Sequence, residues 1–126
     1  VLEKKFALGL RTRKAYLEGD KVQLASISEE YGKCVQALKK FLNIFQELWE
    51  QENKMQGFEI HQNRFGGLIQ RILCSKNRLE RYISGEIEEI PELNEEILDP
   101  YGLKNKQESG FIHLNWWLDN ISVNRF

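Results

Sequence analysis

The chain has 126 residues, 41% hydrophobic and 29% charged, with 18 basic residues against 19 acidic ones and a formal net charge of -1. That length supports one core of ordinary size rather than two domains, and the composition is that of a soluble globular domain. The absence of a basic excess gives no support to nucleic-acid binding as the main role, and the absence of an apolar run of about 18 residues argues against a membrane span.

Residues 1 to 18 read as a helix in which Leu2, Phe6, Leu10 and Leu17 share one face, with Arg13 between them and Lys4, Lys5, Arg11 and Lys14 on a basic flank. Gly19 ends it. Asp20-Lys21-Val22-Gln23 then has the acceptor and the reach-back residue of a capping box.

The second helix is expected over roughly 21 to 53. Leu24, Ile27, Tyr31, Cys34, Val35, Leu38, Leu42, Phe45 and Trp49 form its apolar stripe, which Gly32 weakens without breaking. Phe41, Ile44 and Leu48 widen that stripe in the second half, so this part of the helix needs cover over more than one face. Either the C-terminal tail or an absent part of a parent protein is expected to supply it.

Residues 54 to 62 read as a turn in which Gly57 permits the reversal, Phe58 and Ile60 plug the end of the bundle, and His61 is an ordinary loop histidine. The third helix runs from an N-cap at Asn63 to a stop at Gly85. Phe65, Leu68, Ile69, Ile72, Leu79 and Ile83 fall in one sector. Leu38, Leu42, Phe45 and Trp49 are expected to pack against Phe65, Leu68, Ile72 and Leu79. Gly66 and Gly67 each cost a helix about 1 kcal/mol relative to alanine, which is easiest to accept where another backbone comes close. Lys76 lies within the apolar sector; its stem either snorkels along the core or its ammonium meets a partner's carboxylate.

Ile90-Pro91 places a break before a short fourth helix that reaches about Leu98, with Pro91 as its first residue. The six carboxylates between Glu86 and Glu96 have no EF-hand spacing and read as a solvated acidic surface. Ile112, Leu114, Trp116 and Leu118 alternate, which suggests an extended return arm with a short helical turn. Trp116 and Trp117 read as anchors of that arm rather than as a sugar platform.

No chemistry-bearing constellation emerges. Cys34 and Cys74 lack the spacing of a zinc site or a disulfide framework, and Cys34 reads as a core residue. No catalytic residue, cofactor or metal ligand is assigned. The Asn120-Ile121-Ser122 triplet carries no weight without a secretion leader, and none is visible. Reduced thiols fit a cytosolic protein, and a cytoplasmic location is expected. The chain starts at Val1 and its methionine is Met55, which suggests a piece of a longer protein.

Gly57-Phe58-Glu59-Ile60, Arg64-Phe65-Gly66-Gly67-Leu68-Ile69-Gln70-Arg71, Arg78-Leu79 and Tyr82 carry a resemblance. Together with the opening LEKKFALGLRTRKAYLEGD and the linker IPELNEEILD, they resemble the C-terminal helical domain of bacterial β-N-acetylhexosaminidases in glycoside hydrolase family 20. The resemblance spans nearly the whole chain and is weakest after Tyr101. It implies a parent enzyme that removes terminal N-acetylhexosamine residues in a preceding (β/α)8 barrel, using the substrate's acetamido oxygen and an adjacent Asp-Glu pair. This chain has no Asp-Glu doublet, so no catalytic residue is carried over and the chain alone is expected to be inactive.

The expected fold is a mostly α, single-domain antiparallel bundle of three long helices, completed by a short fourth helix and an irregular or extended arm. The expected role is an accessory domain that braces the barrel or forms a homodimer contact, with Arg64, Gly66, Gly67, Lys76, Trp116 and Trp117 as candidate contacts. The alternatives are a stand-alone helical interaction module, an independent enzyme, and a carbohydrate-binding module using Tyr101, Trp116 and Trp117.

Overall fold

A computed structural model describes residues 7–96. Among them the chain forms α1 (Leu8–Leu17), α2 (Lys21–Glu52), α3 (Phe58–Ser84) and α4 (Pro91–Asn94), with no strand. The fold is the expected antiparallel bundle of three longer helices and a short fourth. Leu2, Phe6, Tyr101 and the arm that carries Trp116 and Trp117 lie outside the described residues.

Two glycines set the helix ends. Gly19 (φ +68°) and Gly85 (φ +80°) take the left-handed conformation that a side chain would oppose. After α1, the Gly19 N–H donates to the Tyr16 carbonyl and the Asp20 N–H to that of Ala15; after α3, Gly85 and Glu86 donate likewise to Tyr82 and Arg81. Both are Schellman closures, which satisfy carbonyls left over at a helix end. The first explains why only half of the capping box forms. Asp20 Oδ1 accepts the Gln23 N–H at 2.9 Å, but the Asp20 N–H is already held by Ala15.

The register of α2 against α3 is regular. Ser28 Oγ donates to Glu80 Oε1 at 3.2 Å, and Gly32 faces the Lys76 stem. Further along, Phe41 packs on Phe65, Phe45 on His61 and Trp49 on Phe58. The core forms where α1 joins this pair: Leu24, Ile27, Cys34, Val35 and Leu38 of α2 meet Ile72 and Leu79 of α3 and Leu8, Ala15 and Tyr16 of α1. Of the expected core partners, Leu42, Phe45, Trp49, Phe65 and Leu68 are only partly buried.

Three expectations are corrected. The inward face of α1 is not the one through Leu10 and Leu17, which are 70% and 61% exposed. Leu8, Thr12, Ala15 and Tyr16 point inward instead. Ala15 is small, and Thr12 Oγ1 donates to the Leu8 carbonyl at 2.7 Å and lies 3.1 Å from the Tyr31 hydroxyl. Short side chains with satisfied polar atoms let α1 lie close to α2, and a search for large apolar residues passes over them.

The third helix starts at Phe58, not after Asn63, so Asn63 is no cap and His61 is helical. Gly57 (φ +94°) turns the chain, and its N–H is held by Glu59 Oε2 at 2.8 Å. Phe58, fully buried, supplies the packing that starts the helix early.

The fourth helix stops at Asn94 instead of reaching Leu98. Glu95 is extended (φ −63°, ψ 147°), and its carbonyl is taken by Arg13 Nη2. Ile90 is extended before Pro91, as the imide demands, and is buried.

Candidate functional site

At about 1.5 Å per residue, α2 and α3 extend roughly 48 and 40 Å while α1 extends roughly 15 Å. α1 is held low on the pair. Arg11 meets Glu30 through two hydrogen bonds of 2.8 and 2.6 Å, and Thr12 meets Tyr31. Among the described residues, the far half of α2 and the near half of α3 are therefore a two-helix hairpin with one open side.

That hairpin is built from rings. The i, i+4, i+8 spacing of Phe41, Phe45 and Trp49 on α2 aligns them with the i, i+3, i+7 spacing of Phe58, His61 and Phe65 on α3. Phe45 lies at the centre. It is stacked on Phe41 (centroids 5.8 Å) and meets Trp49 (5.9 Å) and His61 (5.1 Å) edge-on. Trp49 Nε1 donates to the Lys54 carbonyl at 2.9 Å, which ties the turn to the rings. Beside them Phe41, Ile44 and Leu48 remain 44%, 47% and 54% exposed. The widened flank is as the sequence predicts, but the role of His61 is not, because the sequence pattern starts the third helix only after that residue.

The ion pairs that join different helices lie in the other half. Arg11–Glu30 joins α1 to α2, Arg78–Glu92 joins α3 to α4, and Lys76–Glu80 and Arg81–Glu86 lie along or at the end of α3. Hydrogen bonds from Arg11, Arg78 and Lys76 hold the carboxyls of Glu30, Glu92 and Glu80 below the usual glutamate range. An open groove of about 400 Å³ where α1, α2, α3 and α4 meet is lined by Thr12, Tyr31, Arg71, Leu93 and the Arg78–Glu92 pair. No group of three or more His, Cys, Asp or Glu side chains that could hold a metal ion occurs among the described residues. None of the described helices is long and apolar enough to cross a membrane.

The candidate contact residues separate. Gly66 and Gly67 lie on exposed positions of α3, and beyond their chain neighbours and their own helix backbone no described atom lies within 4 Å of where a Cβ would stand. The close backbone approach that would explain them is therefore not made by the described residues. Lys76 lies on the opposite side of the hairpin from α1, with its stem over Gly32 and its ammonium on Glu80 of its own helix. Arg64 is exposed and precedes Arg71 and Arg78 by two and four turns, so it shares their side of α3. Trp116 and Trp117 lie outside the described residues.

Residues 1–113 match the family model of the glycoside hydrolase 20C C-terminal domain; Trp116 and Trp117 fall beyond the matched span. A search of curated proteins gives no match. A C-terminal domain of this kind implies a catalytic domain in the same chain. The chain thus belongs to the glycoside hydrolase 20C C-terminal domain family.

Proposed function

We propose that this chain is the non-catalytic accessory domain of a β-N-acetylhexosaminidase, and that it works by contact with the rest of its enzyme. The parent would hydrolyse terminal N-acetylhexosamine residues from glycans. The observation that carries this reading is the open apolar side of the α2–α3 hairpin. A domain that leaves Phe41, Ile44 and Leu48 exposed side by side has the surface of a part made for an assembly. Arg64, Gly66 and Gly67 are further candidate contacts, since a bare double glycine in a helix suits a close neighbour; Trp116 and Trp117 remain candidates of the same kind. The free thiols Cys34 and Cys74 favour a reducing, cytoplasmic setting.

The test is hydrolysis of a chromogenic N-acetyl-β-glucosaminide by three samples: the full parent, the parent cut before Val1, and this chain alone. Activity in the full parent only is the expected result. Full activity in the cut parent would make the domain dispensable for chemistry, and an inactive full parent would reject the hexosaminidase reading.

A further inference from the structure

We infer that the open side of the hairpin, formed by Phe41, Ile44 and Leu48 of α2 with Leu68 along α3, is the seat of the catalytic domain of the same chain. The inference rests on the accessory-domain reading and adds the face and its occupant.

The geometry begins with α1. Arg11 opposite Glu30 and Thr12 opposite Tyr31 fix an antiparallel pairing that puts Leu8 level with about Val35. From that level to Glu52, roughly 25 Å of α2 extends beyond the described residues of α1. On this stretch Phe41, Ile44 and Leu48 follow Glu30 at spacings that keep them on its side of the helix, so they occupy the position α1 covers lower down. On α3, Arg78 and Tyr82 face α4 and α1, through Glu92 and Tyr16 respectively. Partly buried Leu68 precedes Leu79 and Tyr82 by about three and four turns, so it lies on the side of α3 that faces α1. The two edges therefore bound one apolar trough that continues the seat of α1.

The occupant follows from chain order. A C-terminal domain is joined to its catalytic domain through the residues that lead into α1. The N-terminus of α1 points along α2 towards the trough, and its level lies only about 9 Å short of Phe41 along the helix axis. The incoming chain is thus delivered at the edge of the bare surface. A neighbour tethered there meets the trough at high effective concentration, whereas a second copy must arrive by diffusion.

The experiment places p-benzoylphenylalanine at Leu48, and separately at Ile44, in the full-length parent. Each enzyme is irradiated, digested, and its cross-linked peptides identified by mass spectrometry. Activity and melting temperature confirm that each variant is folded. The expected result is an intramolecular adduct to a peptide of the catalytic domain from both probes. Adducts to residues 97–126, adducts between two copies that run at twice the mass, or no adduct beyond that of a probe at exposed Gln70 would each overturn the inference. The accessory-domain reading is scored separately by activity. An enzyme that still needs the domain while Leu48 captures residues 97–126 would reject this face and leave that reading intact.

Discussion

Tyr16 of α1 accepts the backbone N–H of Ile90 on its phenolic oxygen at 3.0 Å, across 74 positions of sequence. The same oxygen lies 3.4 Å from Asn94 Nδ2, and the ring packs on Tyr82 with centroids 5.0 Å apart. One side chain thus locks the segment after α3 onto the first helix. Tyr16→Phe keeps the ring but leaves a buried N–H without its partner, a loss of about 1–3 kcal/mol. Urea titration should show a lower midpoint with little change in slope. An unaltered midpoint would mean that water replaces the phenol at no cost.

Phe58 and Leu48 lie at the same end of the bundle and should respond in opposite ways. Phe58 is fully buried among Phe45, Trp49 and His61. Phe58→Ala should cost this chain about 3–5 kcal/mol. Leu48→Ala, at a site 54% exposed, should stay within about 0.5 kcal/mol in the isolated chain. In the full parent, Leu48→Ala should become clearly destabilising. Thermal melts of both proteins give the comparison, and equal effects of Leu48→Ala in the two would argue that this side stays wet.

The glycines of α3 offer a sharper comparison. With no described atom near either position, Gly66→Ala and Gly67→Ala should each stabilise the isolated chain by up to about 1 kcal/mol through helix propensity. If the parent packs a backbone there, the gain should vanish or reverse in the full enzyme. Gly32→Ala is the internal control. Its Cβ would meet Lys76 Cε at 3.5 Å, an ordinary contact, so its gain should be similar in both settings.

Acid should weaken the lower half of the bundle. Arg11, Lys76 and Arg78 hold Glu30, Glu80 and Glu92 below the ordinary glutamate value of 4.5. Below that value the unfolded chain takes up protons before the folded one does. The stability contributed by these pairs is therefore present above about pH 4.5 and lost as the pH falls through the lowered folded values. Glu30→Gln should flatten part of this slope in melts taken between neutral pH and pH 3. The pairs are largely solvent-exposed, so 1 M salt should shrink the effect further.

The long helices were readable because their signals were redundant. α2 has an Asp20 cap, a stripe from Leu24 to Trp49 and no proline, and it was placed to within a residue or two. The Ile90-Pro91 break and the Gly85 stop were equally plain. α1 misled because its buried contacts are made by Thr12, Ala15 and Tyr16, whose polar atoms are satisfied only by partners on other elements or an earlier turn. Large leucines at Leu10 and Leu17 gave the louder pattern and face water. The start of α3 was missed for a related reason. Gly57 and the polar residues around it suggest a loop, and only the burial of Phe58 against Phe45 and Trp49 tips the balance to helix. As for the site, the excess of apolar residues on α2 was visible in the sequence. The side left bare depends on how far α1 reaches, and that distance is set by tertiary pairs such as Arg11–Glu30.

The shortness of α1 has a consequence for the order of synthesis. A C-terminal domain leaves the ribosome last, after the domain ahead of it has had time to fold. If the catalytic domain seats on this side, Phe41, Ile44 and Leu48 emerge beside a finished surface and need not wait in water. Transplanting this domain to the front of the enzyme by circular permutation would reverse that order. The same three side chains would stand bare while the remaining chain was being made, the condition under which nascent domains adhere to one another.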